Sequence, residues 1–382
     1  MTKLTFIINH VAFFVSHRLP IAKAMQLSGH EVRLVTGKAG SVSMEAEAVK
    51  ELAKTGILHS RLCFGSQSVN PFTEALGFLG LIGHLLRTQP DLLHCASPKG
   101  VLYGALAARL CRIPALVISV TGMGYVFTEG ERRSKTRQFL AAVYEFLARL
   151  AFGHKNKRVI VQNEDDWAYF VKSGYADPHE MRLIPGSGVD LSKYDAVDMG
   201  AKKSIVLFPA RILRDKGAME FVEAARQVRL EEPNWRFVMA GAADYQNPTG
   251  ICTDVIEHWH SEGIVEWLGH VDNMVDLFCD ASIACLPSYR EGMPKALLEA
   301  AAAGCAVITT DTIGCRDAIV PGETGDLVPL RDPMELGQAL IDLIRDPPRR
   351  ERYGMAGIQL ARSRYSIASV IEKTEAIYKE II

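Results

Sequence analysis

A chain of 382 residues is longer than one compact core usually organises, so two domains of about 150 to 200 residues are the first expectation. Apolar residues make up 48% and charged residues 23%, which excludes a disordered chain. A formal net charge of −1 excludes global attraction to nucleic acid and leaves only local patches to attract an anion.

The N-terminus, MTKLTFIINHVAFFVSHRLP, is apolar but has a single early lysine, a β-branched run broken by Asn9 and His10, and no small-residue cleavage site. It reads as a buried first strand rather than an export signal. Short apolar runs then alternate with helical patterns. LTFII (4–8) precedes a helix near 17–29, EVRLVT (31–36) follows, and ILHSRL (57–62) precedes a helix near 72–88. DLLHC (91–95), ALVISV (115–120) and RVIVQ (158–162) are followed by helices near 99–111, 134–152 and 164–173. Strands that are apolar throughout have both faces covered by helices, the mark of a parallel, doubly wound sheet.

RLIPGSGVDLSKYDAVDMGAKK (182–203), rich in Gly, Asp and Ser, interrupts the alternation, which restarts at SIVLFPA (204–210). WRFVMAG, IVEWLG, SIACLP, AVITT and GDLVPL continue it to residue 330. The expected organisation is a first Rossmann-like domain over 1–190, a linker over 191–203 and a second Rossmann-like domain over 204–362. A final helix over 363–382 returns to the first domain. Two such sheets present their carboxyl ends to a shared cleft, where sheets of this kind bind ligands. The eight cysteines form no CxxC pair and several lie in apolar runs, so reduced core thiols in a cytoplasmic protein are expected. No apolar run reaches the roughly 18 residues needed to span a bilayer.

The most informative segment is SYREGMPKALLEAAAAGCAVITT (288–310), directly after the strand SIACLP. Pro294 is placed at the first helical position, where a missing N–H is tolerated, and the unpaired amides of that helix start, beside Gly292, suit phosphate or sugar oxygens. Glu291 stands before the helix and Glu299 inside it; carboxylates accept strongly from paired hydroxyls such as those of a ribose or hexose. In FPARILRDKGAMEFVEAAR (208–226), Arg211 and Lys216 bring two cations to a strand-to-helix loop, where they could neutralise a departing diphosphate.

Here the chain resembles the retaining glycosyltransferases of the two-domain GT-B type, specifically family 4 (group 1), in which a Glu, seven residues and a second Glu mark the donor site. EGMPKALLE has that spacing, and the likeness extends through ALLEAAAAGCAVITTDTIGCRDAIVPGETGDLVP. The resemblance implies that Glu299 holds the ribose hydroxyls, Glu291 contacts the donor sugar, and the amides around Met293, Pro294 and Lys295 line the sugar and phosphates. It also makes Arg211 and Lys216 a diphosphate clamp and assigns Gly241, Gly269, His270 and Val271, in strand-end loops, to the nucleotide base.

In the first half, SHRLP (16–20), HCASPKG (94–100) and VTGMGYVF (120–127) are expected to follow strands at the cleft edge. They offer His17, His94, Ser97, Lys99, Thr121 and Gly122 to the acceptor or the donor sugar, or to the fold. The sequence departs from the family twice. Its first strand-to-helix loop, NHVAFFVS, lacks the Gly-Gly turn, and TGMG stands where many members have a His before Gly. TGMG resembles a branch that builds bacterial surface polysaccharide and glycoprotein glycans.

The implied reaction is transfer of a hexose or N-acetylhexosamine from a nucleotide-diphosphate sugar, a uridine one above all, to a glycan carried on a polyprenyl diphosphate. No cofactor and no metal are expected: HWH (258–260) lacks a third ligand, and there is no Asp-x-Asp motif. The basic segment 131–158 carries eight Lys or Arg against two Glu, with Phe139, Leu140, Val143, Phe146, Leu147 and Leu150 at helical spacing. It is either a core stripe with a solvated basic end or a peripheral contact with the anionic inner face of the plasma membrane. The competing functions are a sugar-nucleotide epimerase of the same architecture and a non-catalytic sugar-binding protein.

Overall fold

The computed structural model describes residues 1–38, 42–65, 70–122, 135–244 and 247–382, leaving aside the side chains of 42–44, 71 and 135–143. The chain divides into two compact units, Met1–Ser187 with Val370–Ile382, and Gly188–Ser369.

The first unit is built on seven parallel strands: β1 (Lys3–Ile8), β2 (Glu31–Lys38), β3 (Leu58–Gly65), β4 (Leu92–Ala96), β5 (Ala115–Ser119), β6 (Lys157–Val161) and β7 (Met181–Leu183). Their order is β3-β2-β1-β4-β5-β6-β7, so chain direction across the sheet reverses between β1 and β4. β1, β4 and β5 are buried almost throughout because helices cover both faces, which is why they read as unbroken apolar runs.

The helices are α1 (Val11–His17), α2 (Leu19–Leu27), α3 (Val42–Ala53), α4 (Pro71–Thr88), α5 (Pro98–Leu110), α6 (Lys135–Phe152) and α7 (Glu164–Lys172). The helix expected near 17–29 is α2, and α1 precedes it as an element that was not expected. α1 starts directly after β1, and Arg18, with φ −130°, breaks the chain before α2. Pro20, which has no N–H to give to the turn behind it, sits in the first turn of α2 where that lack is harmless. SHRLP therefore lies at a helix junction rather than after a strand. Helix α3 and the three-residue β7, like α1, have no counterpart among the expected elements.

The second unit has six parallel strands: β8 (Lys203–Phe208), β9 (Arg236–Met239), β10 (Glu266–Trp267), β11 (Ala281–Leu286), β12 (Ala306–Thr310) and β13 (Gly325–Val328), in the order β10-β9-β8-β11-β12-β13. Helices α8 (Ala218–Glu231), α9 (Thr253–Ser261), α10 (Met274–Asp280), α11 (Lys295–Ala302), α12 (Pro333–Ile344) and α13 (Pro347–Arg364) surround it. Here the order reverses between β8 and β11, whose pairing includes Val206 against Ile283 and Leu207 against Ala284. One buried cluster, from Val206 and Phe237 through Leu297 to Leu340, fills the unit.

This unit begins earlier than the strand at 204. Val189 donates its amide to the Tyr365 carbonyl and accepts from Ile367, and Tyr194 is buried, so 188–203 packs into the second unit instead of bridging as a linker. Helix α14 (Ile367–Ile381) starts in the second unit and ends in the first. Within the first unit Glu380 binds Arg158 and Arg182, and the Ile381 carbonyl accepts from Asn156 Nδ2 at 2.9 Å.

Candidate active site

In the second unit the loops after β8 and β11 lie side by side at the carboxyl end of the sheet, at the point where strand order reverses. Backbone contacts fix the approach: Tyr289 N–H donates to the Asp215 carbonyl at 2.8 Å, and Glu291 N–H to the Ile313 carbonyl at 3.0 Å. Gly217 caps α8 with φ +74°, and a side chain there would run into the Pro287 carbonyl. Gly314, φ +80°, accommodates the Glu291 carbonyl in the same way. Gly217→Ala must strain the backbone and push the loop after β11 away. A fall of several degrees in the thermal midpoint, and a loss of activity beyond that expected from unfolding at the assay temperature, are the expected results. Unchanged activity would mean that the contact of the two loops does not matter.

The contact brings Lys216 and Glu291 together. The Lys216 ammonium donates to Glu291 Oε1, the atom that also accepts from Ser288 Oγ at 2.8 Å. Both side chains are mostly covered, at 23% and 14% exposure, so the pair is less screened than a surface ion pair. Ser288 is fully buried, and its carbonyl accepts from the hydroxyls of Thr310 and Thr312. Burial, with the Glu291 charge second, pushes the neighbouring Cys315 thiol up to about 11, so it stays neutral. Ser288, Thr310 and Thr312 carry no sequence signal for this role, since small hydroxyl residues at strand ends stand out only once the strands are aligned.

Pro294 stands one position outside α11, as its N-cap, rather than in the first turn, because the first bond back, from Leu297, closes on the Pro294 carbonyl at 2.9 Å. Met293 is buried beside it, and Gly292 precedes it in the loop. Lys295 and Glu299 pair at 3.4 Å, four residues apart on α11. Arg211 is half exposed and donates to Asp244 Oδ2 at 2.7 Å. Its loop is packed on the one after β9: a side chain at Gly241 would strike the Ala210 carbonyl, and Ile212 N–H donates to the Ala242 carbonyl at 3.1 Å. Gly269, His270 and Val271 follow the edge strand β10, which two strands separate from β11. His270 is exposed and 3.2 Å from Asp272, while Val271 packs on the core.

In the first unit several expected ligand groups are used by the fold. His94 lies within β4, not beyond it, and is buried; its ring binds the Tyr378 hydroxyl of α14 through Nδ1 and Ser119 Oγ through Nε2 at 2.7 Å. Ser97 is buried with φ +67° and donates to Asn9 Oδ1 at 2.8 Å, which ties the ends of β1 and β4 together. Lys99 donates to the Gly65 carbonyl at 2.6 Å and pairs with Glu74 at 3.1 Å. His17 shares a hydrogen bond with Ser187 Oγ at 3.0 Å. Thr121 and Gly122 line an apolar pocket with Tyr144, Phe152, Phe170 and Tyr175; the rest of VTGMGYVF, from 123, lies outside the described residues.

The glycine-free first loop also closes on itself. His10 accepts from Phe13 N–H at 3.2 Å, and the buried Glu45 carboxylate accepts from Val11 N–H at 3.5 Å, so side chains take up amides at the start of α1. Of the basic segment, the side chains of Phe139, Leu140 and Val143 lie outside the described residues. Phe146 and Leu150 are exposed, while Arg149, Lys157 and Arg158 are paired with Glu145, Glu180 and Glu380. Among the described residues no group of three His, Cys, Asp or Glu side chains is gathered as a metal would require.

Burial lowers His94 well below the usual imidazole range, and His59, His84 and His154 are lowered chiefly by the same cause. All four belong to the first unit. Their folded pKa values lie below the unfolded 6.5, so the unfolded chain takes up more protons as pH falls through that value. Stability should be fully present above about pH 6.5 and decline below it. Thermal melts at pH 7.5 and 5.5 are expected to show the drop, with a shallower slope in His94→Gln; coincident melts would refute it.

Two family models match the chain: the description "Glycosyl transferase 4-like domain" over residues 16–186 and "Glycosyl transferases group 1" over 203–346. The chain belongs to the group 1, family 4 glycosyltransferases. Among curated relatives, N,N'-diacetylbacillosaminyl-diphospho-undecaprenol alpha-1,3-N-acetylgalactosaminyltransferase of Campylobacter jejuni is 27% identical, over 90% of this chain and 90% of its own length. CapM, a capsular polysaccharide biosynthesis glycosyltransferase of Staphylococcus aureus, is 20% identical over 96% of this chain and 97% of its own. Among solved structures, a sucrose-phosphate synthase from Thermosynechococcus elongatus aligns with TM-score 0.76 at 18% identity, covering 99% of this chain and 98% of that one. HepE of Anabaena, solved with UDP and glucose, aligns with TM-score 0.75 at 17% identity, covering both chains completely. The fold is that of the GT-B glycosyltransferases, and the enzyme is a sugar transferase rather than an epimerase or a sugar-binding protein.

Proposed function

We propose that this glycosyltransferase moves a hexose or N-acetylhexosamine from a UDP-sugar to a glycan carried on a polyprenyl diphosphate, with retention of anomeric configuration. The reaction serves bacterial surface-polysaccharide or glycoprotein-glycan assembly, at the cytoplasmic face of the plasma membrane. The observation that carries the donor site is the meeting of Lys216, Glu291 and Ser288 where the second sheet changes direction. The relative from Campylobacter jejuni, named for an undecaprenyl-diphosphate substrate, supports the acceptor class, and the UDP and glucose held by HepE support the donor.

In this reading the donor diphosphate lies between Arg211, Lys216 and the first turn of α11. Lys216 is held in place by Glu291 until the phosphates arrive, and Arg211 by Asp244. Glu299 takes the ribose hydroxyls, Glu291 and the Met293–Lys295 backbone take the sugar, and the loops at Gly241 and Gly269–Val271 border the base. The bond from the anomeric carbon to the diphosphate oxygen breaks while the acceptor oxygen bonds to the same face of that carbon. The acceptor proton passes to the departing diphosphate. Catalysis is then positioning plus stabilisation of phosphate charge, and needs neither metal nor cofactor.

Thermal stabilisation by a panel of nucleotide sugars identifies the donor, since a ligand at 100 times its dissociation constant adds about 2.7 kcal/mol. Release of UDP with and without polyprenyl-diphosphate glycan then tests transfer, and NMR of the product tests retention. Isomerised donor appearing without acceptor, or an inverted product, would overturn the reading.

A further inference from the structure

Helix α4 of the first unit is apolar on both sides. Its inner side packs on β3 and the core through Gly77, where a Cβ would stand 2.6 Å from Phe64 N, and through the fully buried Leu81 and Leu85. The side that should face water carries Phe72, Leu76, Leu79 and Leu86, exposed to 81%, 65%, 62% and 57%. With Gly83 they recur at intervals of four and three, which at 100° per residue keeps them on one stripe, about 21 Å long. A surface helix normally sets charged groups opposite its buried face; this one sets leucines there.

The charges around the stripe indicate what covers it. Helices α4 and α5 contain a single carboxylate, Glu74, and it turns inward to Lys99 and the Tyr103 hydroxyl. Their exposed cations stand at one end: Arg87 closes α4, while Arg109 and Arg112 flank the exposed Leu110 where α5 ends. The end of α5 lies against the C-terminal half of α4, where Cys111 Sγ reaches the Ile82 carbonyl at 3.8 Å. An apolar stripe edged by arginines and free of outward carboxylates matches the interface of an anionic bilayer, where leucine and phenylalanine enter the acyl boundary and arginine meets phosphate. Among the described residues no helix is long and apolar enough to cross a membrane.

We infer that the outer face of α4, with the arginines at the ends of α4 and α5, is a docking surface for anionic phospholipid. This rests on the proposed lipid-linked acceptor and places the membrane contact on a different helix from the basic segment 131–158.

The test is co-sedimentation of the full chain with sucrose-loaded vesicles of phosphatidylcholine alone or with phosphatidylglycerol. Wild type should pellet with the anionic vesicles, less so at high salt. Leu76→Ser with Leu79→Ser should weaken binding about tenfold or more, and Arg87→Ser with Arg112→Ser should remove most of the salt dependence. Transfer to a water-soluble acceptor analogue should be unchanged in both variants, which separates this surface from the chemistry. The proposal is overturned if wild type stays in the supernatant, or if the leucine variant pellets equally well. It is also overturned if wild type dimerises through this face, seen as a dimer in light scattering that the leucine variant dissociates. Absence of transfer to any soluble acceptor, with vesicle binding intact, would count against the proposed reaction and not against the surface.

Discussion

Lys216→Ala should lower kcat/KM by about 100- to 1,000-fold, the range for removing one preorganised group aimed at developing charge, and toward its upper end. The reason lies in what remains. Glu291 keeps its Ser288 contact but loses its cation, so a poorly exposed carboxylate is left uncompensated where the proposal seats a diphosphate. The variant thus removes an attraction and unmasks a repulsion. Glu291→Gln should cost less in donor binding, since its amide oxygen can still accept from Ser288 and from Lys216. Lys216→Arg should not restore full activity, because a planar fork does not reproduce the point charge of an ammonium. Steady-state kinetics, with circular dichroism to confirm folding, measure all three. Turnover of Lys216→Ala within a few-fold of wild type would remove the Lys216–Glu291 pair from the site.

The sheet architecture was legible because a parallel strand covered on both faces has to be apolar along its length, as LTFII, ALVIS and SIACL are. Elements that escaped were those without that constraint. β7 is three residues long and partly exposed, and α1, with seven residues, is too short to show a clear helical period. In the second unit, EGMPKALLE marked the loop and helix that carry Glu291 and Glu299, and FPARILRDKG marked the loop that carries Lys216. Their convergence depends on strand order, which lays β11 beside β8 although about 70 residues separate them in the chain.

The first unit was harder for a related reason. A polar residue at a strand end looks the same in sequence whether it faces a ligand or closes the fold. His94 is buried by α14, whose Tyr378 lies 284 positions away, and Ser97 is tied to Asn9 across the β1–β4 reversal. Glu45 belongs to α3, and nothing in the sequence signals that its carboxylate reaches the start of α1 to take up the Val11 amide.

Arg211→Ala and Glu299→Gln should each cost about 100-fold in kcat/KM, but in different parameters. Arg211 is proposed to meet a diphosphate whose charge grows as the glycosidic bond breaks, so its loss is felt more in the transition state than in the bound donor, and kcat should fall. A ribose held by Glu299 changes little during the reaction, so Glu299→Gln should raise the donor KM and leave kcat nearly intact. Asp244→Asn serves as the control: it releases Arg211 from its 2.7 Å contact without removing the cation, and should stay within a few-fold of wild type. Lys295→Ala frees Glu299 from its 3.4 Å partner and should likewise be mild. If Glu299→Gln lowered kcat with KM unchanged, the carboxylate would have to act on the transferred sugar, and the two acidic positions on either side of Pro294 would exchange their proposed roles.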